Sequence, residues 1–224
     1  MSKNNFDFIS ASGEMADLVR SIDWQNSLVG IPENWPQSLR TTLSNLLNSN
    51  FPMFLFWGKE LVCFYNDAYR PSLGITGKHP SLLGSTAKVG WSEVYEHVLE
   101  WTNHIFDTGE PLMFHDNLVP FYRNGKMEDI YWTFSYSAVV NDFGEIGGVL
   151  VTCMETTTQV ESLHKLEKSK EELQFAIESA ELGTFDYDPK TEMFSSNKRF
   201  RDWYGLDNKP LHHLSEGIRA IHPA

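Results

Sequence analysis

Phe51-Pro-Met-Phe-Leu-Phe-Trp-Gly-Lys-Glu-Leu-Val-Cys-Phe-Tyr-Asn-Asp-Ala-Tyr69 holds two short aromatic-rich runs, Pro52 to Trp57 and Leu61 to Tyr65, joined by Gly58-Lys59-Glu60. Runs of this length and composition around a glycine turn predict a tight β-hairpin. The stretch Tyr131 to Thr157 is its counterpart near the middle of the chain. Alternation puts Ile130, Trp132, Phe134, Tyr136 and Ala138 on one face of a strand and Asp129, Tyr131, Thr133, Ser135 and Ser137 on the other. One face is for a core or a ligand. Asn124-Gly125, just upstream, is the strongest short hairpin signal in the sequence. Asn141 to Glu145 supplies the next turn, and Ile146 to Met154 is apolar at both parities, as expected of a central strand covered on both sides. The two stretches therefore read as the first and last strands of one small antiparallel sheet.

Helical patterns fill the interval and the amino-terminal side. Short helical pieces are expected around Leu73 and Leu82, and a longer helix from about Ser92 to Thr108 repeats Val94, Val98, Trp101 and Ile105 at helical spacing before Gly109 and Pro111 close it. Its apolar face should roof the sheet. Gly13 to Ile22 predicts a short helix with Met15, Leu18, Val19 and Ile22 on one face. A second helix begins at Trp35-Pro36, with Leu39, Leu43, Leu46 and Leu47 as an apolar stripe suited to cover the other side of the sheet.

After Glu155-Thr156-Thr157 the composition shifts to Glu, Lys, Leu and Ser. Leu163, Leu166, Leu173, Ile177 and Ala180 fall at alternating three and four spacing if Lys170 occupies one seam position, which makes a candidate coiled coil. With about three heptads, a single amphipathic helix packing on its own domain is the alternative. Gly183 to Ser196 reads as a further strand, turn and strand, and Asn197 to Leu206 as the start of a helix. The strand order restarts there and is not completed.

The 224 residues give room for one ordinary core and part of a second, and 41% hydrophobic content with 13% aromatics can fill them. Thirty acidic residues against eighteen basic ones leave a formal charge of −12, which argues against a nucleic-acid or anionic-membrane surface. Cys63 and Cys153 each sit in an apolar run, without the short Cys or His spacing of a zinc site, so buried reduced thiols are expected and no metal. Met1 to Phe6 lacks an apolar signal core, and Phe51 to Trp57 is too short to span a bilayer, which predicts a cytoplasmic chain without membrane attachment.

Two strands, small helices, one longer helix and a three-stranded meander is the order of the PAS fold. Phe64-Tyr-Asn-Asp-Ala-Tyr69 resembles the strand-to-helix signature of that family, Tyr131 to Tyr136 its penultimate strand and Gly147 to Thr157 its last. More narrowly, Gly13-Glu-Met15, Gly30 to Arg40, Phe51-Pro-Met-Phe54 and Lys78-His-Pro80 resemble the amino-terminal PAS region of bacterial sensor histidine kinases. The likeness covers about Gly13 to Thr158. Ala180 to Tyr187 with Ile221-His-Pro223 resembles the first part of a second PAS domain, without its long helix and closing strands.

The resemblance implies an α+β class: a five-stranded antiparallel sheet flanked by helices, an N-terminal helical extension over 1–50, a PAS sensor domain over 51–158, a linker or signalling helix over 159–182 and an incomplete second PAS domain over 183–224. It implies a ligand space between sheet and long helix, for which Tyr65, Trp101, His104, Trp132, Phe134 and Tyr136 are the candidate lining, although aromatic side chains fill ordinary cores as well. Glu155, Thr156 and Thr157 resemble the polar junction to an output helix, and they also suit a plain helix cap. With Leu166 and Leu173 they are the candidate signal relay.

His97 and His104 on the long helix raise haem, and a packed or surface histidine is the plainer reading. No Asn-Cys-Arg segment supports a photoactive flavin. An unidentified small ligand remains open. His164 lacks the acidic and proline neighbours of a phosphoacceptor, and no phosphate loop, carboxylate metal set or nucleophile elbow occurs, so no enzymatic activity is expected of this chain. The expectation is the sensory input region of a two-component histidine kinase in a phosphorelay. It would be a fragment or early stop of a longer bacterial protein, dimeric through the linker helix, with downstream kinase domains and a response regulator as partners. The alternatives are an interaction or dimerisation module without a ligand, and the input domain of a cyclic-dinucleotide synthase.

Overall fold

Strands β1 (Met53–Trp57), β2 (Val62–Tyr65), β3 (Leu112–Arg123), β4 (Lys126–Val140) and β5 (Ile146–Glu155) form an antiparallel sheet in the order β2-β1-β5-β4-β3. The structure is a computed structural model and describes residues 6–75 and 77–221. The chain divides into two compact units, Met1–Val160 and Glu161–Ala224, and the sheet belongs to the first. The crossover from β2 to β3 runs through a 3₁₀ turn at Arg70–Leu73, the short helix α3 (Ala87–Gly90) and the long helix α4 (Tyr95–Thr108). This is the α+β arrangement of the PAS fold, with the hairpin, the helical crossover and the meander in the expected order.

Local chemistry explains the turns. Gly58 takes a left-handed φ of +68° where the β1–β2 hairpin reverses, and Asn124 and Gly125 take φ of +54° and +80°, the pair of positive angles that a two-residue turn matched to strand twist requires. Gly109, at φ +72°, ends α4 and returns its N–H to the Ile105 carbonyl at 2.9 Å. The long helix starts at Tyr95, three residues later than its apolar periodicity suggests, because Ala87 to Val94 is spent on α3 and a turn.

The amino-terminal segment packs into the same core. Helix α1 (Glu14–Ser21) buries Met15, Ala16 and Val19, and helix α2 (Gln37–Asn48) buries Leu39, Leu43, Leu46 and Leu47. The leucine stripe lies over β1, β2 and part of β4. No side chain of Pro36 can cap α2; instead Asp142, from the β4–β5 turn, accepts the Gln37 and Ser38 N–H groups at 2.8 and 2.9 Å. Those bonds hold its carboxyl below the usual range. The second face of β5 is only partly covered: Leu150 is half-buried and Met154 exposed. The expectation of full cover therefore holds only in part.

Asn66 joins these layers and is wholly buried. Its Nδ2 donates to the carbonyls of Leu46, Ser49 and Phe51 at 3.1, 3.0 and 2.8 Å, and its Oδ1 accepts the N–H groups of Met53 and Tyr69 at 3.1 and 3.0 Å. One amide thus ties the end of α2, the start of β1 and the turn after β2.

The second unit is built from most of helix α5 (Thr157–Ser179), strands β6 (Phe185–Asp188), β7 (Met193–Ser196) and β8 (His212–His213), and helices α6 (Lys198–Tyr204) and α7 (Leu214–Ile221). Its three strands form a sheet in the order β6-β7-β8. Asn197 repeats the role of Asn66. Its Oδ1 accepts from the N–H of Thr184, thirteen residues before it, and of Phe200, three after it, at 3.1 and 2.9 Å, while Nδ2 donates to Leu182 O at 2.8 Å. The Ile221-His-Pro223 segment lies outside the described residues beyond Ile221, as do Met1 to Asn5 of the amino terminus.

Replacing Asn66 with Ala takes the side-chain partner from the Ser49 carbonyl and the Met53 N–H, while the Leu46 and Phe51 carbonyls and the Tyr69 N–H keep a second partner, so a loss of about 1–3 kcal/mol is expected. Urea unfolding of the variant measures it; a change below about 1 kcal/mol would contradict this role.

Candidate functional site

Helix α4 lies against the sheet and leaves an aromatic cavity of about 80 Å³ beneath it. Phe54 and Phe56 of β1, Val119 and Phe121 of β3, Trp132, Phe134 and Tyr136 of β4, and Val151 and Cys153 of β5 form its floor. Tyr69, Trp91, Val94, Val98 and Trp101 complete the wall. Strand alternation puts the floor residues on one face: Phe134 pairs with Cys153 and Tyr136 with Val151 in register. Trp101 is half-buried, with its ring centroid 5.3 Å from Phe134, 5.7 Å from Tyr136 and 5.6 Å from the exposed His97.

The candidate lining residues separate into two sets. Trp101, Trp132, Phe134 and Tyr136 meet at the cavity; Tyr65 and His104 do not line it. Tyr65, on β2 at the sheet edge, turns its hydroxyl to His79 Nδ1 at 2.8 Å, and His79 Nε2 meets Glu14 at 3.0 Å. Glu14 also stands 2.9 Å from Arg70 Nε, an ion pair in which the N–H is not directed at the carboxylate. The outer position of β2 therefore gives Tyr65 to a polar chain that joins α1 to the sheet. His104 is half-buried, three residues after Trp101 on α4, beside the Thr108 hydroxyl. Neither His97 nor His104 is placed to ligate a group inside the cavity.

Among the described residues no ionised side chain lines the cavity. Burial pushes the Tyr69 and Tyr136 hydroxyls far up, and the Cys153 thiol up to about 12, so all three stay neutral near pH 7. Cys63 is raised by burial too, and both cysteines are free. The Trp91 N–H lies near the Cys63 sulfur and acts against that rise, without hydrogen-bond geometry to any of the described residues. Lys78 Nζ sits 4.3 Å from the Trp91 ring centroid and 4.4 Å from that of Phe121, and pairs with Glu93, which also accepts the Tyr122 N–H at 3.1 Å. Burial lowers the Lys78 pKa.

The strand ends beside the cavity hold the start of α5. Arg123, two residues past the lining Phe121, binds both oxygens of Glu155 at 2.8 and 2.9 Å, with Glu128 Oε2 at 2.9 Å on its Nε. Tyr131, next to the lining Trp132, accepts the Thr156 N–H at 2.8 Å and donates its own N–H to Thr157 Oγ1 at 3.0 Å. Glu155, Thr156 and Thr157 are thus tied to β3 and β4, while Leu166 and Leu173, farther along α5, are exposed. Sequence reasoning missed Arg123; its place beside the Asn124-Gly125 turn, opposite an acidic strand end, was the available signal.

In the second unit, Asp207, His212 and Glu216 bring possible ligand atoms within 4.8 Å of one another. Lys209 already pairs with Asp207 at 2.7 Å and His212 Nε2 with the same carboxylate at 2.8 Å. Among the described residues no helix is long and apolar enough to cross a membrane.

No protein-family model and no curated protein matches the chain. Among solved structures, the PAS domain of BvgS from Bordetella pertussis is 20% identical, with 60% of this chain and 97% of that one covered at a TM-score of 0.41. A sensory box sensor histidine kinase from Vibrio cholerae is 14% identical over 52% of this chain and 89% of that one, at 0.38. VqmA bound to DPO is 15% identical over 51% of this chain, at 0.40, and the chain spans only 56% of its length. Likenesses of this size carry no functional argument, and the fold rests on the strand order itself.

Arg123→Gln removes the two-oxygen grip on Glu155, an interaction stronger than a neutral hydrogen bond. Amide exchange at Thr156 and Val160 should quicken at least about tenfold, corresponding to 1.4 kcal/mol of lost protection, while the β1 amides stay unchanged. Unaltered exchange at both positions would show that the grip does not hold the junction.

Proposed function

We propose that the chain is the sensory input region of a two-component histidine kinase, in which a change at the cavity alters the packing of α5. One observation carries this reading: the residues that hold Glu155, Thr156 and Thr157 lie within two positions of cavity-lining side chains on the same strands. Arg123 follows Phe121 by two residues on β3, and Tyr131 precedes Trp132 on β4. A shift of either lining ring moves the backbone that anchors the helix. Two helix packings separated by a few kcal/mol suffice to make such a shift a switch.

Helix α5 supplies the output side. Its 23 residues expose Leu163, Leu166 and Leu173, a stripe suited to pairing with the same helix of a second copy. The Asn197 hydrogen bonds, repeating the pattern of Asn66, support the start of a second PAS domain after that helix. In this reading kinase catalysis and phosphotransfer to a response regulator belong to parts of the protein outside these residues, in the cytoplasm. The small cavity favours a second reading, an interaction and dimerisation module whose core needs no ligand. A cyclic-dinucleotide synthase output would use the same input region.

Leu166→Glu and Leu173→Pro should uncouple signal from output in a form of the protein that carries its output domain, leaving the first unit folded. Autophosphorylation with γ-labelled ATP, with and without these substitutions, measures it. Wild-type regulation in both variants would contradict relay through α5.

A further inference from the structure

The dimensions and the lining of the cavity select a class of occupant. About 80 Å³ is about half of the ~150 Å³ apolar cavity that accepts benzene, so a single ring enters only with a displacement of the wall. Extended multi-ring cofactors do not fit without opening the core. Of the lining tryptophans, Trp101 is half-buried while Trp91 and Trp132 are buried, so it is the one that meets solvent.

Charge is disfavoured as well. Among the described residues the lining contains no Asp, Glu, Lys, Arg or His. The nearby ammonium, Lys78, lies over the Trp91 and Phe121 rings and is already neutralised by Glu93. A charged guest would lose its hydration without finding a counter-ion, a cost far above that of a neutral one.

The polar groups that remain in the lining are the Tyr69 and Tyr136 hydroxyls, the Cys153 thiol and the indole N–H groups of Trp91, Trp101 and Trp132. Around them, the Phe54 ring lies 5.3 Å from Tyr69 and 5.5 Å from Trp91, and Trp91 lies 5.1 Å from Phe121, centroid to centroid. Tilted aromatic faces at these separations accept a further planar ring edge-on or offset.

We propose that this cavity binds a small, neutral, mostly apolar molecule, no larger than a single ring with one hydrogen-bonding substituent, which the Tyr69 and Tyr136 hydroxyls recognise. This rests on the sensory reading above and names the ligand class for it.

The test is a titration of the 224-residue protein with phenol, read in ¹H–¹⁵N spectra at the indole N–H signals of Trp91, Trp101 and Trp132. Saturable shifts are expected with phenol, and none at equal concentration with benzoate, which carries a charge, or with 2-naphthol, which carries a second ring. Val98→Leu and Val151→Leu, which fill the space, should each weaken phenol binding about fivefold or more. The double substitution Tyr69→Phe and Tyr136→Phe should abolish the preference for phenol over toluene. Absence of phenol binding, equal binding of benzoate or 2-naphthol, or indifference to both filling substitutions would overturn the proposal.

The two levels separate cleanly. If phenol binds as expected while the amides of Thr156 and Val160 do not respond, the ligand class stands and the sensory reading falls. If Val98→Leu alters those amides while no neutral ring binds, the sensory reading stands and the ligand class falls.

Discussion

The buried amide of Asn66 is the constraint around which the first unit is arranged. A strand pair as short as β1 and β2 is marginal alone. Here one side chain bridges three carbonyls at the end of α2 and in the following turn to two N–H groups, at the start of β1 and after β2. With those groups satisfied, β1 can lie centrally between β2 and β5, and Phe54 and Phe56 face α4. Tyr69, which donates its N–H to the same amide, is positioned at the cavity wall by that bond. The use of Asn197 for the same task in the second unit shows the device working at a second place in one chain.

From that anchor the mechanics run along the sheet. Packed aromatic rings resist continuous deformation, so a guest or a substitution in the cavity is answered by displacement of a neighbouring element. The strands β3 and β4 carry both the floor of the cavity and the groups that hold Glu155, Thr156 and Thr157. Charge-assisted bonds at Arg123 make this end of the sheet stiff, and the exposed leucines of α5 leave the helix beyond it open to association.

Periodicity made much of the fold legible. The α2 leucines, the alternation of Ile130, Trp132, Phe134 and Tyr136, and the Asn124-Gly125 turn each report a local rule, and each appears in the structure as read. Of the candidate cavity residues, the four on β4 and the inner side of α4 meet; Tyr65 and His104 are directed elsewhere, because strand order and helix rotation are not local properties. Tyr69, Trp91 and Phe121 were not singled out as lining, since their approach depends on how the crossover folds back over the sheet. Asp142 capping α2 across more than a hundred residues has no sequence signal beyond a turn aspartate. Arg123 could have been found from its place beside the hairpin turn.

Coupling between cavity and helix is the central claim, and hydrogen exchange of the Val151→Leu protein against wild type tests it most directly. The added methylene presses on the cavity floor without touching Arg123, Tyr131 or α5. The account requires altered exchange at the Thr156 and Val160 amides together with unchanged exchange at the α1 amides. Unchanged exchange at Thr156 and Val160 in a folded variant would show that the cavity and the helix are mechanically independent.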